Sequence, residues 1–512
     1  MPASFLHGVE VIEVTSGPNP VSVVKSAVIG LVGTAPSWAV AAPAAAPAPN
    51  TPTLVSSALD AANFGPLVQG YSIPYALAAI QAQGAGQAIV INVFDPARHT
   101  TAITAQAMSF PATGAQALNL AHMGVSNVLV KNQAGTTTYV SGTDYSLDAV
   151  NGVITALTGG ALTAGEAVSV SFNYADPSKV ADADIIGAVT AGVYSGIQAL
   201  QTTYGTMGFF AKLLIAPGFS QNADVASALA AMANTIRAMA LVDSAPSTPV
   251  ANAISNRGTA GTAFDTSSTR VILCYPQEQF YDAGLVPTAV TLSAAGTPVT
   301  TPFSGTSVGP YSQWVAGAIA AKDLANGYWW SPSNTEVTGI LGPDVNIYAS
   351  ILDPLSDVNN LNAQGIATVF NAFGTGLRVW GNRSAAYPSI TSPANFINVR
   401  RTMDVIEESI QLSMLQFIDQ PISNALITAI LASVNAFIRS LIQRGALVAG
   451  AASYNPAENP PSQVAAGQLV FDVDVMPPPP AERITFQSYI DSSLLAQLGQ
   501  TSPITAAAGA TA

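Results

Sequence analysis

Short runs with apolar residues at almost every position constrain this chain most. "SAVIGLVGTAP" (26–36), "AIVINVF" (88–94), "KLLIAPG" (212–218), "ALVDS" (240–244) and "TRVILCYP" (269–276) read as strands. A strand with one wet face alternates apolar and polar residues, whereas one covered on both faces can be apolar throughout; 88–94 is of the kind found in parallel sheets. Between them, "NADVASALAAMANTIRAMA" (222–240) and "YSQWVAGAIAAKDLANG" (311–327) read as helices, the second stopped by Gly327. "IIGAVTAGVYSGIQALQ" (185–201) is also read as helical. The fold class expected is α/β (α+β) and multi-domain.

One stretch differs in texture. Between 105 and 176, "NVLVKN", "TTTYVSGTDYSLD", "NGVITAL" and "EAVSVSFNYADP" are short alternating runs separated by Asn-Gly and Gly-Gly turns, and Val168, Val170, Phe172 and Tyr174 share one face. This predicts a small β-sandwich inserted into the α/β domain.

The C-terminal part carries two amphipathic helices. Met403, Ile406, Ile410, Met414 and Phe417 keep helical spacing, as do Ile427, Ile430, Val434, Phe437, Ile438 and Leu441 before Gly445. Two alternating runs follow, 469–475 with Leu469, Phe471, Val473 and Val475 on one face, and 484–490 with Ile484, Phe486 and Ile490. Four prolines, 477–480, lie between them. They form either a hairpin within the chain or one home strand and one strand for another chain. At the other end, "GVEVIEV" (8–14) mixes apolar and acidic residues on both faces, so its register must come from neighbours.

Composition narrows function. Charged residues are 9% against 49% hydrophobic, where a soluble domain has roughly 25% charged. Two readings stay open: a surface covered by partners, or an alanine-rich bias. A net charge of −13 argues against broad nucleic-acid binding. Cys274 is alone, so no internal disulfide is possible, and it reads as a buried small hydrophobe. No signal peptide and no unbroken apolar run of about 20 residues is read, so no membrane insertion is expected.

Signs of catalysis are few. His7, His99 and His122 have no metal-ligand spacing, and no hydrolase or Walker motif occurs. "GLVGT" (30–34) lacks the lysine of a phosphate loop and reads as a strand-end turn. Glu407 and Glu408 diverge on their helix and read as a solvated face. The stretch from 420 to 457 has no acidic residue, yet holds Arg439 and Arg444. These arginines either compensate the helix macrodipole or dock on an acidic partner. No enzyme activity and no cofactor are expected.

Longer motifs carry a resemblance. "HGVEVIEV…SGPNPVSVVKSAVIGLVGTAP" (7–36), "YWWSPSN" (328–334), "RVWGNRS" (378–384), "NVRRTMDVIEESI" (398–410), "DQPIS" (419–423), "VNAFIRSLIQRGAL" (434–447) and "AAGQLVFDVDVMPPPPAERITF" (465–486) occur in this order in the contractile tail sheath proteins of temperate myophages and R-type bacteriocins, which the chain resembles from residue 7 to about 490. The resemblance implies hexameric rings stacked as a six-start helix around a tail tube, contraction that drives the tube through a host envelope, and partners at the baseplate and tail terminator. It implies a virion location, with assembly in the host cytoplasm. It also implies strand exchange between subunits, placed on Val9, Val11, Ile12 and Val14 in the N-terminal arm and on Phe471, Val473, Val475, Ile484 and Phe486 near the C-terminus. Arg439 and Arg444 would face the tube. The domain plan expected is an arm (1–20), a core in two parts (21–104 and 177–390), the insertion (105–176), a C-terminal domain (391–490) and a tail (491–512). The competing readings are a bacteriocin or injection-system sheath, a secreted adhesin or surface-layer protein, and, more remotely, a hydrolase.

Overall fold

The computed structural model describes residues 20–40, 46–283, 305–350, 352–371 and 374–498, together with the short strands Thr291–Leu292 and Pro298–Val299. Val9, Val11, Ile12 and Val14 lie outside the described residues, as do 41–45 of the alanine-proline stretch.

The apolar runs build one sheet of nine strands. Its order is Thr53–Val55, Ala88–Asn92, Ile29–Gly33, Leu213–Ile215, Met239–Asp243, Val271–Cys274, Ile366–Asn371, Leu377–Trp380 and Thr335–Glu336. The neighbours from Ala88–Asn92 to Ile366–Asn371 are parallel, and the outer strands are antiparallel. Helices cover both faces. Val28 and Val32 enter one core layer with Ala223–Thr235, and Ile29 and Leu31 enter the other with Ile73–Ala82 and helix α1 (Ser312–Asn326). Double coverage is why these strands do not alternate. Gly33 ends its strand where a Cβ would meet Ser72 Oγ at 2.3 Å, so "GLVGT" is a close-packed strand end. Cys274 is fully buried, and burial raises its thiol pKa.

The 185–201 stretch is not one helix. A short helix, Asp182–Ile186, is followed by a hairpin of Val189–Thr190 and Val193–Tyr194 and a 3-10 turn, Gly196–Thr202. Ala191 (φ 51°) and Gly192 (φ 82°) are both left-handed, the condition for a tight two-residue hairpin turn. Gly187 and Gly196 approach so closely that a Cβ on Gly187 would meet Ser195 O at 1.9 Å. Helical periodicity there was coincidental.

The insertion begins five residues before the expected boundary, with β1 (Thr100–Ser109), and closes with β2 (Ala167–Ala175). These two strands pair antiparallel from Thr100↔Ala175 to Ser109↔Ala167, in a four-stranded sheet with Val125–Asn132 and Thr138–Tyr139. A second sheet of three strands lies in the same stretch. Val130, Ile154, Val168, Val170 and Phe172 belong to one core of its own. His122 stacks on Tyr174 at 3.9 Å between ring centroids.

Helices α2 (Ile397–Ser413) and α3 (Asn424–Gln443) follow. Ser423 caps α3 by accepting from Leu426 N–H, and Gly445 (φ 76°) ends its turn. By length and mean composition α3 is apolar enough to cross a bilayer, which a search for unbroken runs does not register because Thr, Ser and Asn interrupt it. Its Leu426, Val434, Phe437, Ile438 and Leu441 are buried. After α3, β3 (Ala449–Ser453) and β4 (Asp472–Met476) form an antiparallel hairpin, pairing Ala449↔Met476 through Ser453↔Asp472.

Candidate assembly surfaces

Helix α2 is fixed to the α/β core by most of the charge in its neighbourhood. Arg401 holds Asp323 of α1 with two bonds, Nη1–Oδ1 2.8 Å and Nη2–Oδ2 2.5 Å, both side chains nearly inaccessible. Asp404 receives Arg270 and Arg400, and Arg400 also reaches Glu407 at 3.0 Å. Glu408 is buried and pairs with the buried Lys212, whose Nζ also donates to Ile236 O at 3.2 Å. Burial lowers the Lys212 pKa, against the pull of Glu408. The solvated-face reading of Glu407 and Glu408 is therefore corrected. Glu407 is half-exposed, but Glu408 points into the core, where the Lys212 ammonium offsets the cost of burying its charge. The complementary cations come from distant segments, so nothing local announced the pairing.

The chain enters along α2. Ser22 N–H donates to Ser413 Oγ and Val24 N–H to Ser409 Oγ, each at 3.1 Å, while Arg401 Nη2 donates to Ser26 O at 3.0 Å. Helix serines thus satisfy an extended backbone that has no strand beside it among the described residues. Pro20, Ser22 and Val24 line a cleft with Leu412, Ser413 and Gln416.

The hairpin lies on α3. Ala452 and Val475 belong to the same apolar cluster as Val434, Phe437 and Ile438. Asn435 of α3 bonds both backbone groups of Ala452, donating from Nδ2 to its carbonyl at 2.9 Å and accepting its N–H at 2.8 Å. At Gly450 a Cβ would meet Asp474 O at 2.7 Å, so that position needs a glycine. Phe471 immediately precedes β4 and packs on Tyr454, with ring centroids 5.6 Å apart. Val473 and Val475 are therefore home-chain ladder residues, because Ala452 and Gly450 already lie opposite them. Within the run 469–475, the ladder partner of β4 is β3.

Pro477 is buried and Pro478 O accepts from Asn398 Nδ2 at 3.2 Å. Residues 481–498 are described as a separate unit. No strand occurs in 484–490, and Ile484, Phe486 and Ile490 are 70%, 89% and 104% exposed. The two arginines separate. Arg439 lies on the exposed side of α3 with Ala432 and Ala436. Arg444 sits past the helix end, its guanidinium 5.4 Å from the Trp329 ring centroid. That is where a macrodipole favours a cation.

His7 lies outside the described residues, and the other two histidines serve structure. His99 Nδ1 accepts from Asp95 N–H at 2.9 Å, and His122 stacks as above. Among the described residues no group of three or more His, Cys, Asp or Glu is placed to hold a metal.

This mixed helix-and-sheet, multi-domain fold matches solved contractile sheaths. The sheath of an extracellular contractile injection system in its contracted state (PVC) superposes with a TM-score of 0.56 at 15% identity, covering 96% of this chain and 99% of that one. The contracted helical sheath of the anti-feeding prophage gives 0.56 at 17%, covering 96% and 100%. Residues 192–385 match the phage tail sheath protein central domain and 390–491 the phage tail sheath C-terminal domain, while 96–196 match a family of unknown function. The tail sheath protein of Burkholderia phage BcepMu is 45% identical over 501 residues, 97% of this chain and 99% of that protein. That of Escherichia phage P2 is 24% identical over 316 residues, 62% and 72% of the two chains. The chain belongs to the phage tail sheath family and is a structural subunit of a contractile tail.

Proposed function

We propose that this subunit polymerises as hexameric rings, stacked as a six-start helix around the tail tube, and that contraction drives the tube through the host envelope for genome ejection. It assembles in the host cytoplasm and resides in the virion tail. Its partners are further copies of itself, the tube protein, and the baseplate and tail terminator proteins; it uses no cofactor, contacts no nucleic acid directly and inserts in no membrane. Strand exchange joins the copies. Val9, Val11, Ile12 and Val14 of one arm and Ile484 and Phe486 of the other are the travelling strands, and the hairpin with Val473 and Val475, flanked by Phe471, receives them. The domain plan keeps the insertion on the outer surface and the C-terminal domain toward the tube.

The observation that carries this reading is the exposed 484–490 run. Its Ile484, Phe486 and Ile490 alternate with polar residues and are exposed, and large apolar side chains set at strand spacing in water mark a surface that a partner covers. A bacteriocin or injection-system sheath is the second reading, favoured by the injection-system likeness; the phage relative across the whole chain favours the first. Removing residues 1–15, or 481–512, is expected to leave a folded monomer that no longer forms tubes in sedimentation and negative-stain microscopy. Tubes formed by both truncated chains would overturn the strand-exchange reading.

A further inference from the structure

The strands Ile29–Gly33 and Leu213–Ile215 are parallel neighbours, but the chain leaves them in opposite directions. After the first it reaches the helix Ile73–Ala82 in one core layer. After the second it reaches Ala223–Thr235 in the other. Where connections part in this way, a crevice opens at the carboxyl ends of the strands, and open α/β sheets bind ligands there. This sheet has such a crevice. Its cavity of about 280 Å³ is lined by Ser72 and Tyr75 from the first connection and by Gly218 and Phe219 from the second. That is near the lower end of the size range of ligand pockets.

Phosphate, the common guest of helix starts at such a place, does not fit. Ser72 N–H donates to Thr34 Oγ1 at 3.1 Å, Ile73 N–H to Thr34 O at 2.9 Å, and Pro74 has no N–H. At the start of α1, Ser312 N–H donates to Asp243. Among the described residues no Lys, Arg or His lines the cavity, while the carboxylate of Asp282 does.

The lining suits the opposite charge. Asp282 is 3% exposed and accepts from the hydroxyls of Tyr75 at 2.8 Å and Ser307 at 2.6 Å. Burial, with the bond to Asp282, pushes the Tyr75 pKa up, so this hydroxyl keeps its proton and donates. The Tyr75 and Phe280 rings stand edge to face with centroids 5.8 Å apart. Gln313, in the first turn of α1, lines the same cavity. It is 2% exposed, and its side-chain amide has no hydrogen-bond partner among the described residues. A polar group buried without a partner is costly, and a ligand N–H at this place would satisfy it. Carboxylate and amide oxygens accept from an ammonium or guanidinium, and aromatic faces attract its charge.

We propose that this crevice binds an organic cation, an alkylammonium or guanidinium group, held by Asp282 and the Gln313 amide against the rings of Tyr75 and Phe280. The group belongs either to a free amine or to a Lys or Arg side chain of another subunit.

Saturation-transfer NMR on the full-length chain tests the chemistry, with n-butylamine and n-butylguanidine as probes. Both are expected to bind at least about tenfold more tightly than n-butanol or inorganic phosphate, because charge-assisted hydrogen bonds are the stronger ones. Asp282→Asn keeps the side-chain shape and should weaken both cations about tenfold. Gln313→Glu breaks no hydrogen bond of the side chain, adds a second carboxylate, and should tighten both by about threefold or more at pH 8. It decides the matter if Asp282→Asn lowers the urea midpoint. Asp474→Asn, at an exposed carboxylate, controls for loose attraction to an acidic surface and should change nothing. Equal binding of n-butanol, preference for phosphate, or an equal loss in Asp474→Asn would each overturn the proposal. So would cation binding that neither falls in Asp282→Asn nor rises in Gln313→Glu.

Assembled tubes separate the two sources. If a neighbouring subunit supplies the cation, tubes exclude the probes and Asp282→Asn raises the concentration needed for assembly. If a free amine is the ligand, tubes bind the probes as the unassembled chain does and that concentration is unchanged.

Discussion

Asp243 shows how a single residue ties the sheet to a helix. It ends the Met239–Asp243 strand and is fully buried. It accepts from the Ser312 N–H at 2.7 Å at the start of α1, and from the hydroxyls of Ser220 at 2.7 Å and Ser312 at 2.6 Å. Burial pushes its carboxyl up to about 6 from an ordinary 3.8, with the three donors pulling the other way. The folded state therefore holds this proton more tightly than the unfolded chain. The contribution is fully present below the ordinary value and is lost as pH rises through about 6, a span on the order of 3 kcal/mol. We expect Asp243→Asn to flatten that part of the stability profile. Urea midpoints of both proteins between about pH 4 and pH 7 check it, and parallel profiles would show that the carboxyl does not titrate there.

At the scale of elements, α3 is the support on which the hairpin rests. Its first turn is held by Ser423, whose side chain accepts from Leu426 N–H at 3.2 Å. Ser423→Ala leaves that donor to solvent and should destabilise the C-terminal region by about 1 kcal/mol, read as a lower urea midpoint with an unchanged slope. Asn435 is a different kind of support, because it acts on a strand through its edge. Its amide mimics a neighbouring strand across one residue of β3, a role invisible in the helix periodicity that places it between Val434 and Phe437. The serines of α2 do the same for Ser22 and Val24. In both places a helix supplies hydrogen bonds that a ladder would otherwise provide.

At the scale of the whole molecule, the insertion and helix α3 can be tested separately. Thr100 and Ala175 are paired directly across β1 and β2, so the insertion leaves and rejoins the core at neighbouring points. Replacing 101–174 with a short Gly/Ser linker should preserve tube formation and reduce the outer diameter in negative-stain images. Failure to form tubes would make the insertion part of the assembly contact. Arg439 is exposed on α3 while Arg444 already lies against Trp329. Exposed ion pairs are weak, ~0.2–1 kcal/mol each, but repeat with every subunit. Arg439→Glu with Arg444→Glu should lower sheath loading onto purified tubes at low salt while tube-free polymerisation persists. Unchanged loading would return both to macrodipole compensation.

The doubly covered strands, both C-terminal helices and the alternating runs were legible because each is a local pattern, in which spacing alone says which faces must be dry. Family membership was legible for a related reason: motifs such as "NVRRTMDVIEESI" keep their order along the chain. What the motif does was not legible. Arg401 meets Asp323, Asp404 meets Arg270 and Glu408 meets Lys212, and only tertiary packing sets which charges are buried together. The 185–201 stretch shows the same limit: its glycines permit several backbones, and the close approach of Gly187 to Ser195 selects one. Alternation likewise marked 469–475 and 484–490 as strands of equal standing. Pairing chose between them, because a strand's partner depends on which edge the fold brings alongside, and here it brought β3 to β4 and left 484–490 exposed.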